Sequence, residues 1–430
     1  LWMRALSLAG VPFSALSIGA PVVMATLALA WTLRRRASDA FALVLPWRRQ
    51  GGGVRTATLA EDLRASRRER YFIYAIAAWL VLRFVVLLLD VIWTPLYPWD
   101  AWIQWATKAR VWYSLGHIVP FGRSEAWFAA NGAMWLDASP DYPATVPLWQ
   151  VWSSVALGRF DDALMNIPWW LTAVALAIAV FGALRAAGMS SATALVGAWL
   201  VSSLPLANVH VALAGYADLP MAAYYALAAL SVWRWSGDRT LGNLTLALLF
   251  AIACVTIKTP GIVWASTLLP AVVVTLMPQR GPRIVLVGFI AVLLVLAALA
   301  QMAPVVLGYR LHLDFAPAWR GLIASLFVFG NWHLLWYAVI AVIVVGWSEI
   351  RTTHLIALSM SVAAGALFLV VVFSFTNARN WVTDQTTINR ALLHMAPLAL
   401  IWTMLVAHAW FVRVRGQAPA SEPTALAASA

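Results

Sequence analysis

Tyr97-Pro98-Trp99-Asp100-Ala101-Trp102-Ile103-Gln104-Trp105-Ala106-Thr107-Lys108-Ala109-Arg110 is the stretch on which the reading of this chain turns. It follows directly on the apolar run 71–95, which is long enough to span a bilayer. Wound as a helix at about 100° per residue, it puts Asp100, Gln104, Thr107 and Lys108 toward one face. Trp102, Trp105, Ala109 and Trp112 go toward the other. A helix with a Trp stripe and a polar stripe lies in the headgroup layer. Two readings follow. The helix, expected over 99–114, is an interfacial anchor with solvated charges, or Asp100 is a working carboxylate beside the bilayer.

Composition sets the class around this stretch. The chain has 430 residues, 63% of them hydrophobic and 11% charged, with a mean hydropathy of +0.81. That is a polytopic, all-α membrane protein and not a soluble core. The formal charge of +12 invites a nucleic-acid reading, but its distribution argues for no nucleic-acid partner. Residues 34–70 hold ten Arg against Asp39, Glu61, Asp62 and Glu69, a net +6 in one loop. The positive-inside rule makes that loop cytoplasmic, and contact with anionic membrane lipids is a weaker addition.

About eleven transmembrane helices are expected, at 10–33, 71–95, 165–185, 191–211, 219–235, 241–257, 260–278, 284–305, 332–347, 355–374 and 391–412. Alternation from the basic loop then puts Arg185, Arg234, Arg239, Arg280, Arg283, Arg351, Arg413 and Arg415 inside, which supports the threading. The run near the N-terminus is longer than a signal-peptide core and ends at Arg34-Arg35-Arg36, so it reads as a retained span. Residues 1–70 thus form an extra span plus a basic cytoplasmic loop. Residues 71–412 form the main domain, with the long outer loop 96–164. Residues 413–430 read as a disordered cytoplasmic tail.

The outer side collects Asp100, Glu125, Asp137, Asp141, Asp161, Asp162, Asp218, Asp314 and Asp384. It also holds Lys108 and Lys258, the only two lysines. Arg anchors the inside throughout, so lysine here reads either as a chosen point charge or as chance. The long loop and the end of the span before it carry nine Trp, from Trp93 to Trp152. They read as interfacial anchors or as an aromatic floor for a sugar or lipid. A second amphipathic helix is expected over 144–157, led in by Asp141-Tyr142-Pro143-Ala144-Thr145-Val146-Pro147. Arg83 and Asp90 are the charged residues well inside a span. No phosphate-loop, zinc-protease or serine-hydrolase motif is present, and Cys254 is the single cysteine. The histidines are scattered, and His312-Leu313-Asp314 is a weak metal pair at best.

The order of these pieces resembles the integral-membrane glycosyltransferases of the GT-C superfamily, in the branch of protein O-mannosyltransferases and the lipid A aminoarabinose transferase. There an acidic residue opens the first large outer loop, as Asp100 does in Trp99-Asp100-Ala101-Trp102. A proline motif leads into a juxtamembrane helix, as at Asp141–Leu148. The second outer turn carries Asp before Pro, as in Asp218-Leu219-Pro220. Lys258-Thr259-Pro260-Gly261 is similar to a hairpin tip of that family, and Asn389-Arg390-Ala391 to its late Arg. The likeness covers roughly residues 71–412. It departs where Ala101 follows Asp100, since the family often presents two adjacent acids there.

The resemblance implies a polyprenyl-phosphate-linked sugar as donor, inversion at the anomeric carbon, and an active site on the outer face of a bacterial inner membrane. The acceptor hydroxyl needs a general base, and Asp100 is the candidate. Asp218 would orient the sugar or a neighbouring cation, or cap its helix. The leaving lipid phosphate needs positive charge, for which Lys108, Arg110, Lys258 and Arg390 are candidates. Trp99, Trp102, Asp141, Tyr142 and His394 are candidates for holding sugar or acceptor. The short loops favour a lipid or glycan acceptor. No cofactor is required by these residues, and a divalent metal stays open, with the missing acid pair favouring a metal-independent reaction. A transporter or flippase is the rival reading, and a glycan ligase the alternative within the fold.

Overall fold

The computed structural model describes residues 1–35, 66–306, 309–311, 314–315, 318–385 and 387–417. Most of the basic 34–70 loop, His312 and Leu313, and residues 418–430 of the expected tail lie outside the described residues. The described residues are 76% helical. Among the described residues, five helices are long and apolar enough to cross a membrane: Arg67–Trp93, Leu164–Ala186, Gly281–Ala300, Ile356–Phe375 and Ile388–Gly416. That fits an all-α membrane protein.

Each expected span falls on helix in whole or part, and the departures have local causes. The segment expected to span at 10–33 is a turn followed by α1 (Ala20–Arg35). Ahead of α1, Met3, Leu6, Phe13 and Ile18 pack with Ala109, Trp112, Leu148 and Val151. The Phe13 N–H donates to the Gly116 carbonyl (2.6 Å), and the Ile118 N–H to the Ser7 hydroxyl (3.0 Å). The apolar residues of 3–18 find a protein surface there. α2 (Arg67–Trp93) starts where the Ser66 hydroxyl takes the Glu69 N–H and stops before Pro95, which disfavours helix at Thr94.

Residues 96–164 form α3 (Thr107–Leu115), entered through a π-helical turn over Ala101–Ala106, a parallel pair of β1 (Phe121–Gly122) with β2 (Trp135–Leu136), and α4 (Thr145–Leu157). α5 (Ile167–Ala186) follows. The expected span 191–211 is two helices, α6 (Ser191–Ser203) and α7 (Pro205–Ala212), bent by 63°. Pro205 has no N–H to return and forces the break. Two carbonyls freed there find partners from elsewhere: Arg83 Nε donates to Ser202 (3.0 Å) and His333 Nε2 to Ser203 (2.9 Å). This gives the Arg within α2 a structural task.

α8 (Asp218–Asp238) is the central helix. Its alanines 222, 223, 226, 228 and 229 are all buried and let neighbouring helices approach closely. α9 (Leu241–Ile257) and the pair α10 (Gly261–Ser266) and α11 (Leu269–Leu276) pack on it, α12 (Gly281–Ala300) packs on α11, α13 (Leu335–Val345) packs on the last helix, and α14 (Ile356–Phe375) and α15 (Ile388–Gln417) pack on α8. A hairpin of β3 (Val305–Val306) and β4 (Tyr309–Arg310) is fastened to the end of α14 by the Leu311–Thr376 bridge and by the Arg310 N–H on Asn377 (2.8 Å).

The arginine-bearing connections gather at one end of the bundle. Arg239 donates to the Thr275 carbonyl, Trp233 Nε1 to the His354 carbonyl (2.7 Å), and Arg413 pairs with Glu349 (2.7 Å). Asp218 and Arg390 begin α8 and α15 at the opposite end.

Candidate functional site

Asp218 is the first residue of α8 and its side chain is 0% exposed. A buried carboxylate needs partners for both oxygens. Its Oδ1 accepts from Lys258 Nζ (2.5 Å) and His394 Nε2 (2.9 Å), and its Oδ2 from Arg390 Nε (2.9 Å). Arg390 continues through Nη1 to Asp100 Oδ2 (2.5 Å). The guanidinium lies over the Tyr216 ring, 4.6 Å from its centre. Two carboxylates and two cations are thus strung into one network.

Local backbone rules deliver each member. Lys258 sits extended between α9 and α10, and the tip folds back so tightly that a Cβ at Gly261 would overlap the Cys254 carbonyl oxygen. The turn 213–217 ahead of Asp218 lies against the start of the Asp100 helix. Gly215 has φ +111°, and a Cβ there would meet the Ala101 Cβ at 2.7 Å. Trp169 Nε1 donates to the Tyr216 carbonyl (2.6 Å) and holds the same turn from α5. Arg390 and His394 are four residues apart on the first turns of α15 and therefore share a face.

These groups open on a cavity of about 340 Å³. Asp100, Lys258, Arg390 and His394 supply its charged and polar lining. The rings of Tyr142, Trp264, Tyr309 and Trp381 supply an aromatic part, and Phe368, Leu369, Val372 and Phe373 of α14 an apolar part. Burial pushes the Tyr142 hydroxyl up to about 12 and the Tyr309 hydroxyl upward as well, so both face the cavity side chains as neutral donors. The Asp100 side chain is 24% exposed, and its Oδ1 has no partner among the described residues. The His394 Nδ1 is likewise without a partner among them. Asp218 makes no side-chain cap, so its capping reading is set aside, and Asp100 makes none either.

Six expected residues therefore converge: Asp100, Tyr142, Asp218, Lys258, Arg390 and His394. Five others do not. Lys108 is 2% exposed, pairs with Asp137 (2.8 Å) and donates to the Ser139 carbonyl (3.0 Å). It lies four residues from Trp112, only about 40° round the helix, and both are buried together. The division into opposite faces is thus corrected: Trp105 and Trp112 pack inward, and Lys108 with them. Arg110 is exposed and stacks on Phe160, 5.6 Å from the ring centre. Asp141 forms an exposed pair with Arg123 (3.0 Å). Trp99 and Trp102 point outward, Trp102 at 58% exposure. The aromatic floor comes from Trp264 and Trp381, and none of the nine tryptophans from Trp93 to Trp152 lines the cavity.

The sequence reading missed Tyr216, Trp264, Tyr309, Trp381 and the α14 aromatics. Trp264 had a signal in lying three residues after Gly261. Phe368 and Phe373 had none, being ordinary apolar residues of a span.

Among the described residues no group of three or more His, Cys, Asp and Glu is placed to hold a metal ion. The Arg390 guanidinium occupies the position between Asp100 and Asp218 that a bridging divalent ion would need, so these residues do not fit one. No protein-family model, curated protein or solved structure matches this chain.

Proposed function

We propose that this chain is a membrane glycosyltransferase that moves a monosaccharide from a polyprenyl-phosphate donor to a lipid or glycan acceptor. The observation that carries the reading is the single cavity shared by Asp100, Lys258 and Arg390, with an aromatic wall and an apolar wall beside them. Cations suit a lipid phosphate, rings suit a sugar face, and the α14 side chains suit the first isoprene units. The resemblance to GT-C enzymes supplies the reaction class, and the eleven-span threading belongs to the same proposal. The arginine-rich end is taken as cytoplasmic, and the cavity as opening on the outer face of a bacterial inner membrane.

In this reaction the acceptor oxygen attacks the anomeric carbon from the face opposite the phosphate. Its proton passes to Asp100, whose free Oδ1 is the accessible carboxylate oxygen of the site. Asp218 keeps no oxygen free for that task and serves to fix Lys258, Arg390 and His394. The bond from the anomeric carbon to phosphate oxygen breaks, and its electron pair leaves on polyprenyl phosphate. Lys258 and Arg390 stabilise that developing charge.

Purified protein in lipid nanodiscs, given radiolabelled polyprenyl-phosphate sugars and a pool of envelope lipids and glycans, tests the proposal. A labelled product that depends on Asp100 is expected. Transfer only of long glycans from a diphosphate carrier would redirect the reading to a ligase. The bent pair α6–α7 favours the flippase alternative, since broken helices mark transport paths. Against it, Arg83 and His333 already satisfy the break. Lipid scrambling without product would decide for that alternative.

A further inference from the structure

Arg390 is shared between two carboxylates of unequal freedom. Asp218 is fully buried, and losing Arg390 would strip one oxygen of its only partner in a dry site. Asp100 is 24% exposed and holds Arg390 by one nitrogen, Nη1. Once released, its carboxylate has water at hand, so its release costs less than stripping Asp218 would. Nε on Asp218 and the Tyr216 ring beneath fix the plane of the guanidinium. Its Nη2 has no partner among the described residues. A phosphate meeting this edge finds one nitrogen open and the other covered by Asp100. The guanidinium fork matches phosphate in a two-point contact, which the single contact to Asp100 does not exploit.

Charge points the same way. Asp100 and Asp218 balance Lys258 and Arg390, so the resting cavity is neutral and draws anions weakly. An arriving phosphate leaves the cavity with one excess negative charge. Passing the acceptor hydroxyl's proton to Asp100 keeps that total and moves the negative charge from the carboxylate to the leaving phosphate, where Lys258 and Arg390 face it.

We propose that Asp100 and the donor's phosphate compete for the Nη edge of Arg390, so that phosphate binding frees Asp100 to act as base. This rests on reading the site as one for a prenyl-phosphate donor, and it makes binding ordered, donor first. Arg390 is then a positioning residue for the base as well as a phosphate ligand.

The test is equilibrium binding of farnesyl phosphate to the full chain in nanodiscs, with farnesol as the control. Asp100→Asn and Asp100→Ser should each tighten farnesyl phosphate binding at least ~10-fold and leave farnesol unchanged, because they remove a competing charge-assisted hydrogen bond. In an Arg390→Gln background the gain should vanish. An unchanged or weaker Kd in the folded Asp100 variants overturns the competition and leaves the transferase reading standing. Tighter binding with no transfer from any polyprenyl-phosphate sugar does the reverse. Failure of both Asp100 variants to fold also overturns the proposal, since the contact would then be structural. So does the absence of saturable binding in the native chain, which removes the donor reading with it.

Discussion

Asp100 and Asp218 differ in what surrounds them. Asp218 has three cationic or imidazole donors on its two oxygens, while Asp100 keeps one oxygen open to the cavity. Asp100→Asn is expected to lower transfer at least ~100-fold, the lower range for loss of a general base, while melting close to the native temperature. Near-native turnover in a radiolabel assay would remove Asp100 from that role. Tyr142 allows a finer test. With its hydroxyl at about 12, it stays protonated through the working range and donates a hydrogen bond without moving a proton. Tyr142→Phe should raise KM for the donor about 10-fold with kcat little changed, as for a lost hydrogen bond to a charged group. A fall in kcat at unchanged KM would contradict this.

At the scale of elements, two contacts aim the site. The buried Lys108–Asp137 pair ties α3 to the segment just before Tyr142, whose ring meets Trp105 edge-on with centres 5.2 Å apart. Lys108→Met leaves Asp137 buried and unpaired, at a cost of about 3–5 kcal/mol. The double change Lys108→Met with Asp137→Leu should restore most of the lost melting temperature. Equal instability of single and double variants would show that the pair is not coupled. The second contact is the folded-back tip at Lys258. Gly261→Ala drives a methyl into the Cys254 carbonyl, so α10 must shift and carry Lys258 with it. Transfer should fall at least ~10-fold for a ligand moved by even an ångström. Gly261→Ala with native kcat and KM would mean that Lys258 does not need this tip.

For the whole molecule, the prediction is sidedness. The native cysteine, Cys254, is buried, so introduced cysteines can be read against a low background. A membrane-impermeant maleimide added outside should label Glu125→Cys and spare Arg283→Cys, both exposed positions. The opposite pattern would put Asp100 on the wrong side for a lipid-linked donor.

How much of this was legible depends on range. Hydrophobic run length marked the helices, because an apolar stretch of that size has nowhere else to go. Polar residues at span ends marked Asp100, Asp218, Lys258 and Arg390, because charges collect where water is reached. Their convergence was not written in any spacing: Asp100 and Arg390 stand 290 residues apart. It follows from how α8, α9 and α15 pack, with Asp218 buried among them and demanding three donors. The same packing turned Lys108 from a ligand into a buried pair, since a helix face becomes inside or outside only when a neighbour covers it. It also made cavity wall out of Trp264, Phe368 and Phe373, which as sequence are indistinguishable from lipid-facing apolar residues. Chain order therefore settled which segments are helical and where charges are tolerated, both being local consequences of water exclusion. Folding settled which charges meet, because a desolvated carboxylate recruits its partners from wherever the packed helices bring them.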